Sequence, residues 1–219
     1  MLAPRLFDWF QIAAVTCLVC LGGGRALVLY AHGVRVVVVD RQRPPAQILA
    51  DLLLLACLLL WSYEVVAYAC PLRTHLVPPP LGTVLVDAVG FRVVGVFATL
   101  SGLLIYSLAL QAFGPSWRLG IDRAAPGVLV THGIFAWTRN PIYVALDLLA
   151  VGTFLVMGRL VFLALGLMMV SMLHAQIRRE ERFLTQAYGD AYRAYCARVG
   201  RYARWRGHPA TRATRHPSQ

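Results

Sequence analysis

The chain has 219 residues, of which 58% are hydrophobic and only 14% charged, with a mean hydropathy of +0.62. A soluble domain carries about a quarter charged residues, so the composition excludes an ordinary water-soluble protein. It also excludes disordered, fibrous and disulfide-stapled secreted classes, and leaves a polytopic membrane protein, which is all-α if apolar runs of helix-spanning length exist. The 21 basic residues, all Arg, face 10 acidic ones, for a net charge of +11. A positive-inside topology explains that excess more simply than nucleic acid, which is not expected as a partner. The complete absence of Lys fits a high-GC genome and points to a bacterial plasma membrane.

A spanning helix needs about 20 mostly apolar residues. The runs that meet this criterion predict five spans. The first covers about 9–30, interrupted by Gly22-Gly-Gly-Arg25. The second covers about 48–70 and the third about 84–113. The fourth starts after Pro141 and reaches Met157. The fifth covers about 160–174 and continues as a polar helix beyond the bilayer. Only Gly158-Arg159 separates the last two, which predicts a tight antiparallel hairpin. The first run also resembles the apolar region of a signal peptide, but Asp8 and Trp9 ahead of it fit a signal poorly.

Orientation follows from Arg placement. Arg35, Arg41 and Arg43 occupy the first connection, and Arg118, Arg123 and Arg139 the third. The tail from Arg178 holds ten Arg against Glu180, Glu181 and Asp190. These segments are expected in the cytoplasm, with the N-terminus outside and the C-terminus inside. Residues 206–219 read as a disordered basic tail. Cys17 and Cys20 have redox-like spacing but lie in an apolar helix, where they act as small apolar residues. No metal site is expected.

Ionisable groups inside a span are costly, so each one is a site hypothesis. Asp51 and Asp87 read as interfacial. Glu64 lies deeper and reads as an interhelical hydrogen-bonding carboxyl. The region around Arg139-Asn-Pro-Ile-Tyr143 carries more signals. Pro141 fits a first helical turn, where its missing N–H costs nothing. Asn140 then reads as an N-cap. A helix start facing the cytosol suits a carboxylate or phosphate, and Arg139 adds an anion clamp. Tyr143 and Asp147 share one helix face. Taken singly, Arg139 is equally well a topology residue and Tyr143 an interfacial aromatic; together they favour a site. Glu180-Glu181 interrupts a basic helix just past the membrane edge. Its ordinary reading is a solvated, salt-bridged face. The apolar stripe Phe183, Leu184, Ala187, Tyr188 nonetheless requires this helix to pack on something. His174 shares a face with Glu181. Gly189 is expected to end the helix and Asp190 to cap the next. Tyr192, Tyr195 and Val199 then predict a short amphipathic helix able to fold onto the membrane surface.

These motifs occur in a fixed order: Leu129-Val-Thr-x-Gly133, Arg139-Asn-Pro-x-Tyr143, a helical hairpin, Arg179-Glu-Glu-x-x-Leu184, and Tyr188-Gly-x-x-Tyr-x-x-Tyr195. In this the chain resembles the isoprenylcysteine carboxyl methyltransferase and phospholipid methyltransferase superfamily of integral membrane enzymes. The resemblance implies a division into a two-span region at 1–83, a methyltransferase core at 84–205 and the tail at 206–219. It also implies S-adenosylmethionine as cofactor, held at the cytoplasmic face. Carried over, Gly133, Arg139, Asn140, Pro141, Tyr143, Glu180 and Glu181 would line that pocket. The reading of the residues themselves adds Arg139, Tyr143 and Asp147 as the candidate catalytic residues. The implied partner is a lipophilic small-molecule or lipid acceptor, entering laterally from the membrane lipids. Position 140 is Asn where the carboxyl methyltransferases typically have His, and position 145 is Ala where Gly is frequent. Asn140 removes a titratable group and moves the expectation away from strict prenylcysteine methylation. Asp147, Glu64 and His174 are the candidate bases for an amine or thiol acceptor. The rival readings are a membrane reductase of the sterol-reductase type and a non-catalytic carrier or assembly protein.

Overall fold

The computed structural model of the chain describes residues 2–33, 44–70, 72–114 and 127–202. Arg35, Arg41, Arg43, Arg118, Arg123 and the 206–219 tail lie outside the described residues. Among the described residues, six α-helices follow one another: α1 (Leu2–Ala31), α2 (Pro45–Ala69), α3 (Val89–Phe113), α4 (Pro141–Met157), α5 (Leu160–Tyr188) and α6 (Asp190–Arg198). Single 3-10 turns occur at Pro79–Gly82 and Gly133–Ala136.

Helices α1, α2, α3 and α5 are each long and apolar enough to cross a membrane. The expected fourth span is shorter, because Pro141 opens α4 and Gly158 closes it after 17 residues, the low end of the spanning range. The third helix begins at Val89 rather than 84. Residues 84–86 are instead extended and bound to the α4–α5 turn. Leu85 N and Val86 N donate to Gly158 O at 2.7 and 3.1 Å, and Leu160 N donates to Thr83 O at 2.9 Å. Gly158 adopts φ +67° and its Cα faces Val86 O, so a side chain there has neither a relaxed backbone nor room. This is the tight hairpin turn that the two-residue break predicted.

Close packing without a hydrophobic driving force needs small residues at helix interfaces. Helices α3 and α4 meet in that way: a Cβ on Gly95 would lie 2.8 Å from Gly152 O, and one on Gly102 2.8 Å from Ala145 O. Helix α1 joins them through polar groups. Gln11 donates to Thr99 Oγ1 at 3.4 Å and accepts from Thr153 Oγ1 at 3.2 Å, and all three are buried. Trp61, Val65, Phe162, Leu165, Met169 and Leu173 build the apolar core between α2 and α5. Large apolar side chains such as Leu53, Leu59, Val94, Phe97 and Leu104 point outward, as a lipid-facing surface requires.

Glu64 is fully buried, but its partner is not another helix. Its carboxylate accepts from His75 Nδ1 at 2.9 Å and Leu76 N at 2.8 Å, tying down the loop after α2. His75 stacks on Tyr68, over which the Arg159 guanidinium lies at 4.3 Å. The hairpin end of the bundle is thereby closed by a satisfied polar cap.

Gly152→Ala tests the α3–α4 seam. The added methyl would meet the Thr99 hydroxyl and lie 2.8 Å from Gly95 O and 2.9 Å from Thr99 N. The expected cost is about 1–3 kcal/mol, read as a lower thermal midpoint of the detergent-solubilised protein, whereas Gly23→Ala, which meets nothing within 4 Å, does not lower the midpoint.

Candidate functional site

The site lies at the end opposite the hairpin, where α4 begins. The chain enters it through Gly133, whose φ of +61° starts the 3-10 turn against Ala112. Phe135 is buried edge-on against Phe113, with ring centroids 4.6 Å apart. The next residues then meet the segment that follows α6. Arg139 N donates to Gly200 O at 3.1 Å, and Thr138 Oγ1 donates to Arg201 O at 3.0 Å.

Glu181 is the centre of the side-chain arrangement and is 9% exposed. Its Oε2 accepts from Arg201 Nε at 3.0 Å and Nη2 at 2.6 Å. Its Oε1 faces Arg139 Nη2 at 3.2 Å and Asn140 Nδ2 at 3.4 Å. The ordinary reading of Glu181 as part of a solvated helix face therefore does not hold. Arg139 Nη1 also contacts Cys196 Sγ, while Arg139 Nε is buried without a hydrogen-bond partner. Beside this cluster, Tyr143 donates to Glu180 Oε1, which also accepts from Gln176 Nε2 at 3.2 Å.

Asn140 occupies the N-cap position of α4, and Pro141 is the first helical residue, as predicted. The Asn140 side chain makes no capping bond, however. Its amide donates to Arg201 O at 3.2 Å and to Glu181. It is a cross-link, and the helix start keeps the free N–H groups and partial positive charge that suit an anion.

Helix α6 packs on protein rather than on a membrane surface. Tyr192, Tyr195 and Val199 are buried against Leu129, Leu184 and Tyr188. Tyr195 OH donates to Phe135 O at 2.7 Å, and burial pushes its phenol up to about 12, so it remains a donor. Gly189, at φ +52°, ends α5 and stands in the N-cap position of α6; Asp190 is the first residue of α6 and pairs with Arg193 at 2.6 Å. His174 and Glu181 do share a face, and both reach the segment after α6, His174 through a hydrogen bond to Tyr202 OH. Burial, and next the Asp147 carboxylate, raise the Tyr202 phenol.

The structure thus gathers Arg139, Asn140, Pro141 and Glu181 at one point, with Tyr143 and Glu180 adjacent. Gly133 contributes a turn against α3. Asp147 projects a buried Oδ1 without a hydrogen-bond partner. Thr138, Cys196, Arg201 and Tyr202 are site neighbours that the sequence reading did not single out. No local signal marks them, because their placement rests on contacts between distant segments of the chain. A cleft of about 230 Å³ opens between α2 and α5, lined in part by Asp51, Leu54, Met172, Gln176 and Arg179. It is smaller than the roughly 300–1,000 Å³ of most small-molecule pockets.

A helical membrane bundle with a charged cluster at one end is the class that fold and site define. Within it, residues 91–191 match the family model described as Phospholipid methyltransferase. A curated relative, the Protein-S-isoprenylcysteine O-methyltransferase of Schizosaccharomyces pombe, is 32% identical over 114 residues, 52% of this chain and 46% of the relative. The chain therefore spans about half the length of that relative. Both matches are to methyltransferases of the superfamily that the motifs resemble, and over this segment the chain is similar to them.

Asn140→Asp distinguishes a cross-link from a cap. Asp is normally as good an N-cap as Asn. Here it would replace a donor to Glu181 and Arg201 O by a carboxylate facing another carboxylate. Stability should fall by about 1–3 kcal/mol, measured by thermal melting; an unchanged or raised midpoint would indicate that Asn140 acts as a cap.

Proposed function

We propose that the chain is an integral membrane methyltransferase that transfers a methyl group from S-adenosylmethionine to a lipophilic acceptor. One observation carries the reading: Arg139 and Asn140, just before α4, converge with Glu181 of α5 at the α4 start inside the family-matched segment. Both comparisons are to methyltransferases, which disfavours the reductase and carrier readings.

The residues present fit the cofactor chemically. It carries a carboxylate, an ammonium and a ribose diol. Arg139, whose Nε is buried and unpartnered, and the uncapped α4 N–H groups suit the carboxylate. Glu181 suits the ammonium or the diol, and the Tyr143–Glu180 pair extends the polar wall. When bound, the cofactor supplies a methyl already activated by its sulfonium. The protein then mainly aligns the reactants and excludes water, and alignment alone is worth about 7–11 kcal/mol.

An amine or thiol acceptor must lose a proton, whereas a carboxylate acceptor need not. Asp147 is the base favoured by position. Its unpartnered Oδ1 lies one turn into α4 beyond Tyr143, on the same face. Glu64 is held by His75 and Leu76 N at the other end of the bundle, and His174 is engaged with Tyr202. The α2–α5 cleft supports lateral entry of the acceptor, since Gln176 lines it and hydrogen-bonds Glu180. With the Arg-rich segments in the cytoplasm, this site faces the cytoplasm, in our reading of a bacterial plasma membrane. The core of this activity is residues 84–205.

Membranes containing the chain, incubated with methyl-tritiated S-adenosylmethionine, should place label in the chloroform-soluble fraction. Glu181→Gln should reduce that label at least tenfold while the protein still inserts. Label that base releases as volatile methanol identifies a methyl ester and hence a carboxylate acceptor; label that base does not volatilise identifies an amine or thiol. No label above that of membranes lacking the chain would refute a lipophilic acceptor.

A further inference from the structure

Glu181 is pulled by two guanidinium groups, and only one of them lies in the matched segment. Arg201 stands beyond residue 191, where the family match ends. It directs two donors at Glu181 Oε2, at 3.0 and 2.6 Å, and leaves Oε1 to Arg139 and Asn140. We infer that Arg201 is a positioning residue for the cofactor site, and that the strap Gly200–Tyr202 completes that site by fixing Glu181. This inference rests on the function proposed above.

Three observations support it. The strap is tied to the α4 start by backbone groups that do not depend on the Arg201 side chain. Gly200 O accepts from Arg139 N, and Arg201 O accepts from Thr138 and Asn140. The next residue, Tyr202, is anchored on His174, with the two rings stacked at 6.1 Å. The strap therefore presents the Arg201 guanidinium from a fixed base.

The second observation is charge. Glu181 alone would neutralise Arg139. With Arg201 present, two cations share one carboxylate, and the cluster keeps a net positive charge beside the uncapped start of α4. That excess suits the carboxylate of the methyl donor. The third is geometry: Arg201 occupies Oε2 with two donors from one guanidinium, an arrangement the single ammonium of Lys does not reproduce.

The test uses the purified full chain and titration with S-adenosylmethionine. Arg201→Gln should weaken affinity at least tenfold, with KM rising more than kcat falls. Arg201→Lys, with one compact charge in place of the fork, should fall between wild type and Arg201→Gln. Arg193→Gln, which removes an exposed Arg paired with Asp190, should bind as wild type does. In the double variant Glu181→Gln/Arg201→Gln the losses should not add, because Arg201 acts through Glu181. Wild-type affinity in Arg201→Gln, or fully additive losses, would overturn the inference while leaving the proposed function standing. Failure of the wild-type chain to bind S-adenosylmethionine at all would overturn both.

Discussion

The Glu181 carboxylate, held between Arg139 and Arg201, is the interaction on which the site end of the molecule depends. It joins three separate pieces of chain: the start of α4, the extension of α5 beyond its apolar half, and the strap after α6. A charged cluster this little exposed is costly to assemble, because each ion loses water before it gains a partner. Glu181 offsets that cost through donors on both of its oxygens. The arrangement is therefore sensitive to removal of any one member and has little to recommend it as a device for stability alone. Its placement at a helix start with no side-chain cap gives a functional reason for keeping it.

The rest of the bundle holds that end in position. Glycine packing along α3 and α4 sets α4 close against its neighbour, and Gln11, Thr99 and Thr153 lock α1 onto the same seam. Gly158 turns the chain so sharply that α5 returns alongside α4. Glu181 then meets Asn140 although 41 positions separate them. At the hairpin end, the cap of Glu64, His75, Tyr68 and Arg159 is internally satisfied. Glu64 thus has a partner on each oxygen, whereas Arg139 Nε and Asp147 Oδ1 at the other end are buried without hydrogen-bond partners.

Much of this was legible in the sequence where one local rule dominates. Apolar run length gave the spanning helices, Gly158-Arg159 gave the hairpin, and Pro141 gave the start of α4. The ordered motifs placed Arg139, Asn140 and Glu181 together. What was not legible depended on long-range partners. Asn140 satisfies every local condition for a cap, yet its amide is drawn to Glu181 and Arg201 O. Glu64 lies on a helix amid apolar neighbours, yet its partners come from the following loop. The amphipathic stripe of α6 fits a membrane surface as well as a protein one, and only the tertiary fold provides Leu129 and Leu184 to cover it. Arg201 was one of ten Arg in a basic tail, and nothing local distinguishes it from the other nine.

The proposed function depends on the charged end of the bundle binding the methyl donor. Titration of the purified wild-type chain with S-adenosylmethionine, and in parallel with NADPH, tests it most directly. Saturable binding of S-adenosylmethionine alone is the predicted result. Saturable binding of NADPH alone, or of neither, would contradict it.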